Sequence, residues 1–186
     1  MAIFISAGHS AVKGRNYDPG AVNKKLNITE ADYNQDFETL VTNELTKRGV
    51  KYITDTPTES LSEYLKRIKP GNGSVVLEFH FDASGTGKAS GSTALVGDDA
   101  DKNDKAFAKE LVDATASILG ISNRGVKSEA DSHRGRLGLM RKEGIVSLLE
   151  IAFLDNEKDV ASYNLNKVKL SKKIVDILVK YENLIK

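Results

Sequence analysis

The sequence predicts an α/β fold, a single domain in which a twisted, mostly parallel (mixed) sheet of about six strands is flanked by helices on both faces. Apolar runs of strand length alternate along the chain with stripes of helical spacing, a pattern typical of a parallel sheet. The 186 residues are 40% hydrophobic and 28% charged, which suits one compact core. No linker, repeat or low-complexity segment divides the chain, so residues 1–186 are expected to form one domain.

The order of the elements can be followed along the chain. Apolar runs of strand length occupy residues 2–6, 50–54, 74–81, 92–96, 137–140 and 145–153. Stripes at helical spacing lie at residues 31–45, 61–68, 107–118 and 168–181, and Thr29 is a good N-cap for the first of them. The polar, glycine-containing stretches 13–27 and 122–136 are expected to be loops, the second a surface loop or hairpin.

Composition excludes several classes of function. Lysine and arginine total 27 against 26 acids, so no overall field attracts the chain to nucleic acid or to an anionic bilayer, and neither is expected as a partner. The chain has no cysteine, which rules out disulfides and thiolate metal sites. A metal site would therefore need histidine and carboxylate ligands. The short apolar N-terminal run is expected to be a buried strand rather than a signal peptide.

Three chemically reactive side chains lie at or near predicted strand ends. His9 follows the first strand, His80 ends the strand 74–81, and Glu150 lies inside the apolar run from Ser147 to Phe153. A parallel α/β sheet places its ligands beyond the carboxyl ends of its strands, so these residues are candidates for one site. Glu150 is the most informative, because an acid in such a run must be paired, protonated or functional.

Taken singly, the other candidates have ordinary explanations. His9 could be a turn histidine, His80 a hydrogen-bonded core histidine, and Glu30, in the first turn of a helix, an acid that complements the helix dipole. Together, they form a set of two imidazoles and one carboxylate, which holds zinc with a fourth position open for water. Glu150 would then be the separate carboxylate that moves protons. The residues themselves therefore indicate zinc-assisted hydrolysis of an amide bond.

Other features compete for a role in such a site. Glu78 shares a strand face with His80 and is an alternative ligand to Glu30, although a supporting contact is favoured. His133 is expected to be a solvated loop residue.

The segment Gly85 to Lys88 lacks the first glycine and the Ser/Thr of a phosphate loop, so it is not a nucleotide site. A basic group is expected to form a solvated face that could contact an anionic polymer, and its members are Arg134, Arg136, Arg141 and Lys142.

Several ordered motifs carry a family resemblance. They are Ala7-Gly8-His9, Asp18-Pro19-Gly20-Ala21, the helix-initiating Glu30, His80-Phe81-Asp82-Ala83 and Glu150-Ile151-Ala152-Phe153-Leu154-Asp155-Asn156. In that order they resemble the zinc-dependent N-acetylmuramoyl-L-alanine amidases of the amidase_3 type over most of the chain. Ser10 and Asp82 stand where the family usually has glycine and asparagine, and both differences concern substrate contacts rather than the metal set.

The resemblance implies zinc bound by His9, Glu30 and His80, Glu150 as the catalytic acid/base, and cleavage of the amide bond between N-acetylmuramic acid and L-alanine of peptidoglycan. The chain also resembles the catalytic domain of phage endolysins. We therefore expect a phage or prophage enzyme without a signal peptide, made in the host cytoplasm and acting on the cell wall after release. The alternatives are a zinc carboxypeptidase or endopeptidase, a non-catalytic wall-binding module and, more distantly, a flavodoxin-like ligand binder.

Overall fold

The structure, a computed structural model, describes residues 2–12, 17–132 and 135–184. Its strands are β1 (Ile3–Ala7), β2 (Val22–Asn23), β3 (Ile28–Thr29), β4 (Tyr52–Thr54), β5 (Val75–Asp82), β6 (Ser92–Val96), β7 (Asn123–Ser128) and β8 (Ile145–Phe153). Its helices are α1 (Glu30–Lys47), α2 (Leu61–Arg67), α3 (Lys102–Leu119) and α4 (Glu157–Leu184), and a short 3-10 helix (Gly138–Arg141) precedes β8. Strands and helices alternate, as the apolar spacing predicts.

One mixed sheet organises the described part of the chain. Six strands lie in the order β4-β1-β5-β8-β6-β7, and β2 and β3 form a separate antiparallel pair. Neighbours in the large sheet are parallel except β6 and β8, which are antiparallel. The predicted mixed, mostly parallel sheet of about six strands is therefore confirmed. Because β1, β5 and β8 are parallel neighbours, their carboxyl ends meet at one edge.

The two faces of the sheet are covered unequally. α1, α3 and α4 pack on one face over the larger core, which includes Leu77 and Phe79 of β5. The side chains of α2 and the 3-10 helix cover the other face over a smaller cluster that includes Val76. Because successive residues of a strand point to opposite faces, Glu78 and His80 lie on the thinly covered face. Helices on both faces are thus confirmed, and the thin layer leaves room for a site.

Aromatic packing fixes the start of α1 above the end of β5. Phe37 of α1 meets Phe79 edge to face with ring centroids 4.9 Å apart, and Tyr33 meets Phe81 at 5.5 Å. Tyr163 of α4 closes the cluster against Phe81 at 4.9 Å. Such pairs contribute about 0.5–1.5 kcal/mol each beyond their buried area. The first turn of α1 is thereby held at the carboxyl edge of the sheet.

The ends of the helices follow the sequence signals. The Thr29 hydroxyl oxygen accepts a hydrogen bond from the Asp32 backbone N–H at 3.2 Å, which confirms the predicted cap of α1. In α4 the predicted apolar stripe is largely buried, although Val168 is 52% exposed. No helix in the described ranges combines the length and apolar character needed to cross a membrane.

Three predicted elements are wrong in whole or in part. The stretch 13–27, expected to be a loop, contains β2, which pairs with β3 in a short antiparallel hairpin. The stretch 122–136 contains β7, a strand paired in parallel with β6, rather than only a loop or hairpin. An edge strand leaves one side open to water and so tolerates a polar sequence. Residues 137–140, expected as a strand, instead enter the 3-10 helix, whose adjacent side chains Leu139 and Met140 are both buried in the smaller cluster. A strand would send these neighbours to opposite faces.

Candidate active site

Three predicted site residues converge at the carboxyl edge of the sheet. His9 follows β1, Glu30 begins α1, and His80 lies near the end of β5. One ligand atom from each lies within 4.8 Å of the others. The parallel register of β1 with β5, in which Ala7 pairs with Phe79, brings the two histidines together. Their rings meet edge to face with centroids 5.1 Å apart.

The Glu30 carboxylate lies between the two imidazoles. Its Oε1 is 2.8 Å from His80 Nδ1, and its Oε2 is 3.2 Å from His9 Nε2. Backbone amides orient it further, because Phe81 N–H donates to Oε1 at 3.2 Å and Ala21 N–H donates to Oε2 at 2.9 Å. Burial raises the pKa of Glu30, but the bonds to the imidazoles outweigh burial and hold that pKa well below its usual range. Glu30 is therefore an anion.

Each imidazole uses its other nitrogen to contact a second carboxylate. His9 Nδ1 lies 2.9 Å from Asp18 Oδ2, and His80 Nε2 lies 2.9 Å from Glu78 Oε1. Such contacts fix the tautomer and the orientation of a metal-binding imidazole. The group whose ligand atoms lie within 4.8 Å of one another contains Glu30 and not Glu78, so the geometry favours Glu30 over Glu78 as the ligand.

The carboxylates make this cluster attractive to cations. Burial lowers the pKa of His80, but the contacts with Glu30 and Glu78 outweigh burial and raise that pKa to about 10. Burial likewise lowers the pKa of His9, and the bonds to Glu30 and Asp18 leave it raised. The site therefore stabilises positive charge at its centre, whether the charge is carried by protons or by a metal ion.

Two glycines leave space for the converging side chains. A Cβ at Gly8 would lie 2.2 Å from His80 Cε1 and 2.3 Å from His80 Nε2. At Gly20, where φ is +61°, a Cβ would lie 2.6 Å from both Glu30 Oε2 and His9 Cδ2. All four distances are far below van der Waals contact, and an L side chain at Gly20 would also be strained. The backbone passes so close to the side chains of His9, Glu30 and His80 that both positions require glycine.

The turn from Asp18 to Ala21 contacts the site residues His9 and Glu30. The family motif by itself assigns no role to these contacts. Besides binding His9, Asp18 accepts a hydrogen bond from Gly20 N–H at 3.1 Å through Oδ1. The His9 contact and the turn outweigh burial and lower the pKa of Asp18. An Asp-Pro-Gly turn close after a histidine-bearing loop was the signal that could have identified this partner.

Asn34 is a positioning residue that sequence reasoning missed. It is fully buried on α1, and its Nδ2 donates to the Gly8 carbonyl at 2.7 Å. The next residue, His9, has a φ of 69°, an uncommon value for a residue with a side chain. The amide therefore helps to hold the backbone conformation that turns His9 toward Glu30. The contact is tertiary, so no local sequence pattern indicates it.

Glu150 lies beside the converging residues on β8. Glu150 pairs in register with His80 on β5 and with Thr93 on β6, and only 3% of its surface is exposed. Paired residues on neighbouring strands share a face and are about 4.8 Å apart in the hydrogen-bonding direction. The Glu150 side chain thus lies on the face of the sheet that carries His80, close enough for its charge to act on that imidazole.

Two cavities lie beside His80 and Glu150. His9 and His80 line the first cavity, which has a volume of ≈ 200 Å³. Glu150 lines the other, of ≈ 140 Å³, with Arg124 and Lys127 from β7. An extended ligand placed across both would contact the converging residues on one side and the β7 cations on the other.

Within the described residues, Arg136 and Arg141 of the predicted basic group are exposed and Lys142 is half-buried. Arg141 forms a salt bridge with the buried Glu129, and Lys142 Nζ donates to the Leu65 carbonyl, so both have structural partners. His133 and Arg134, for which a loop position was predicted, lie outside the described residues.

The glycine-containing loop at 84–88 encloses a protein carboxylate. Asp155 Oδ2 accepts hydrogen bonds from Ser84 N–H at 3.1 Å, Ser84 Oγ at 2.9 Å and Gly87 N–H at 3.0 Å. Such clustered donors commonly bind anions. Because Asp155 already occupies them, the structure agrees with the sequence argument against a nucleotide site here.

Comparison with known proteins identifies the family. Residues 3–180 match Amidase_3, N-acetylmuramoyl-L-alanine amidase. The CwlD amidase of Clostridioides difficile, solved with the GerS lipoprotein, is 21% identical with a TM-score of 0.80 and covers 98% of each chain. A putative N-acetylmuramoyl-L-alanine amidase of Neisseria meningitidis is 29% identical with a TM-score of 0.76, covering 96% of this chain and 94% of its own.

An endolysin domain has the same fold. The catalytic domain of the CD27L endolysin targeting Clostridia difficile is 23% identical with a TM-score of 0.71, covering 97% of each chain. No curated protein sequence matches the chain significantly. Because the family match spans nearly the whole sequence and the solved amidase domains share its fold over almost their full length, this chain belongs to the Amidase_3 family of N-acetylmuramoyl-L-alanine amidases, hydrolases of peptidoglycan.

Proposed function

We propose that this protein is a zinc-dependent N-acetylmuramoyl-L-alanine amidase that hydrolyses the amide bond between N-acetylmuramic acid and L-alanine in peptidoglycan. The observation that carries the proposal is the convergence of one ligand atom each from His9, Glu30 and His80 within 4.8 Å. Family membership supports the identity of the substrate, and the geometry of the side chains supports the chemistry.

The donor set suits zinc. Two imidazoles and one carboxylate are a ligand set of hydrolytic zinc sites, which keep one position open. The carboxylates of Asp18 and Glu78 on the nitrogens that do not contact Glu30 would strengthen both imidazoles as ligands. Zinc held by His9, Glu30 and His80 would supply Lewis-acid activation of water and of the scissile carbonyl.

Glu150 is the residue we assign to proton transfer. It is buried beside His80, on the face of the sheet that carries the ligand set. From there its carboxylate can accept a proton from the attacking water. The protonated acid can then donate that proton to the departing amine nitrogen, which would otherwise leave as an unstable amide anion. One carboxylate thus serves both halves of the reaction.

Matched substitutions separate the two roles. Glu150→Gln keeps the size of the side chain but removes the base, so we expect wild-type zinc content and thermal stability with roughly 10²–10⁴-fold lower turnover. His80→Ala should lose zinc as well as activity. Glu143→Gln changes an exposed acid just before β8 and should behave as wild type. Wild-type turnover by Glu150→Gln would exclude Glu150 as the acid/base.

Product analysis distinguishes the proposed reaction from its alternatives. An amidase acting on purified peptidoglycan releases peptides that begin with L-alanine and leaves glycan with free lactyl carboxylates. A zinc carboxypeptidase or endopeptidase would cut within the peptide, and a non-catalytic wall-binding module would sediment with walls and create no new amine termini. Mass spectrometry of the soluble fragments, with metal analysis of the same preparation, decides among them.

We further propose that the protein is a phage or prophage endolysin, made in the host cytoplasm and acting on the wall after release. The shared fold of the CD27L catalytic domain is compatible with this role. Expression in a susceptible host should leave cells intact until the membrane is permeabilised, for example by a co-expressed holin. Lysis without permeabilisation would argue against this mode of release.

A further inference from the structure

A pair of cations on β7 faces Glu150 across the sheet. Arg124 and Lys127 line the ≈ 140 Å³ cavity that Glu150 and Thr93 also line. In the sheet order β5-β8-β6-β7, Glu150 lies on β8, Thr93 lies beside it on β6, and the two cations lie on the edge strand. A polar path therefore runs from Glu150 to the cations, away from the converging histidines.

The two cations share their cavity with the carboxylates of Asp82, Asp131 and Glu150. Within residues 2–12, 17–132 and 135–184, neither Arg124 nor Lys127 takes part in any of the ion pairs. The Arg124 guanidinium instead lies 5.0 Å above the Phe153 ring, and its Nη1 donates to the Ser90 carbonyl at 3.4 Å. The stacking holds the guanidinium over the end of β8, and within the described residues the Ser90 carbonyl is its one hydrogen-bond acceptor.

The acids of the same cavity are engaged in their own turns. Asp82 Oδ1 accepts a hydrogen bond from Ala83 N–H at 2.8 Å, and Asp131 Oδ2 accepts one from the Ser128 hydroxyl at 3.1 Å. These acids keep their charges, but each already accepts a local hydrogen bond, whereas Arg124 and Lys127 form no ion pair within the described residues. The two cations are therefore the groups that an incoming carboxylate would contact.

The spacing of the strands sets which part of a ligand the cations reach. Neighbouring strands are about 4.8 Å apart, so β7 lies roughly 10 Å from β8 across β6. An extended peptide advances about 3.3–3.6 Å per residue. A peptide whose amine nitrogen lies at Glu150 would thus bring its second or third residue to Arg124 and Lys127.

Resting on the proposed function, we propose that Arg124 and Lys127 form a carboxylate-binding site for the peptide released by the amidase. Glu150 donates its proton to the leaving amine, and the cations lie on the side of Glu150 opposite His9, so the peptide leaves toward β7. The guanidinium provides a planar fork and the ammonium a point charge, which together suit a free carboxylate on the second or third residue of that peptide.

The test compares two soluble muramoyl tripeptides, one with free carboxylates on its second and third residues and one with those carboxylates converted to carboxamides. Wild-type enzyme should prefer the carboxylate form by about tenfold or more in kcat/KM, chiefly through KM. Arg124→Gln and Lys127→Gln should each reduce that preference, chiefly by raising KM for the carboxylate form. Lys127→Arg should retain the preference, and so should Lys172→Gln on α4, an exposed lysine on the opposite side of the sheet.

A binding measurement separates failure of this inference from failure of the proposed function. Calorimetry with Glu150→Gln should show the same carboxylate preference in binding while turnover is strongly slowed, and the preference should vanish when Lys127→Gln is added. If wild-type enzyme cleaves both compounds equally well, the carboxylate site is refuted and the amidase assignment stands. If neither compound is cleaved but the binding preference depends on Lys127, the amidase assignment fails and the carboxylate site stands. Absence of any binding preference overturns the inference.

Discussion

Gly8→Ala tests the geometry of the site most directly, because it adds one methyl group where the backbone passes the His80 ring. The new Cβ would lie 2.2 Å from His80 Cε1, whereas ordinary contact begins at 3.4 Å. The ring would have to retreat by about 1.2 Å, the difference between these distances. Since Glu30 and Glu78 hold the ring at 2.8 and 2.9 Å, a shift of this size breaks at least one of the two contacts.

The cost of that shift can be worked from the broken contact. A hydrogen bond to a charged group contributes about 1.5–3 kcal/mol, and 1 kcal/mol corresponds to about 2–4 °C in Tm for a chain of this size. We therefore expect Gly8→Ala to lower the Tm of the metal-free protein by roughly 3–12 °C. Zinc affinity should fall by about 10–100-fold or more, because the ring that would bind the ion is misoriented.

Differential scanning calorimetry without metal and a zinc titration measure these two effects. Gly71→Ala is the matched control, since a Cβ at Gly71 meets nothing within 4 Å and its φ is outside the left-handed region. It should be neutral or slightly stabilising, because alanine restricts the unfolded chain. Wild-type Tm together with wild-type zinc affinity in Gly8→Ala would refute the close approach of Gly8 to the imidazole.

Three further predictions concern the surroundings of the site. Asp18→Asn should lower zinc affinity by about 10–100-fold, because the carboxylate that orients His9 is lost. Burial and the neighbouring Asp55 raise the pKa of Glu38 to about 9 from an ordinary 4.5, so the folded state keeps a proton that the unfolded state releases. Wild-type stability should therefore fall as pH rises from about 4.5 to 9, and Glu38→Gln should flatten the decline in Tm. Asp159→Ala should destabilise the fold by about 1–3 kcal/mol or more, measured by urea unfolding, because the buried Asp159 accepts from two backbone amides at 3.0 Å.

Matched controls define the contradicting outcomes. Glu44→Gln on the same helix as Glu38 removes an acid whose pKa is lowered, chiefly by its bond to Arg48, and should leave the alkaline decline in place. An unchanged decline in Glu38→Gln would show that another group causes it. Wild-type zinc affinity in Asp18→Asn would show that the orientation of His9 does not depend on this carboxylate.

The sequence predicts the positions of Glu30 and Glu150 in the secondary structure where local pattern and chemistry agree. Thr29 and the apolar stripe that follows it fix where α1 begins, which places Glu30 in the first turn. The apolar run around Glu150 predicts a buried acid on a strand, and the structure shows both features. These features depend on hydrogen bonding and side-chain spacing within a few residues, so a single segment contains the information.

Errors arise where the structure depends on distant partners. The polar, glycine-containing sequence of β7 predicts a loop, but the segment pairs in parallel with β6 and is a strand. Leu139 and Met140 have strand-like apolar character, but the cluster beneath α2 accepts both side chains from one 3-10 turn. In both cases a tertiary contact overrides local propensity.

The sequence by itself determined the chemical inventory of this protein, which is two histidines and two acids within or beside regular elements, in the order of the family's motifs. Only the tertiary structure decided how they act on one another. It set Glu30 between the imidazoles and placed Glu78 on the other nitrogen of His80. The physical reason is that these contacts depend on the parallel register of β1, β5 and β8 and on the docking of α1, which join residues far apart in the chain.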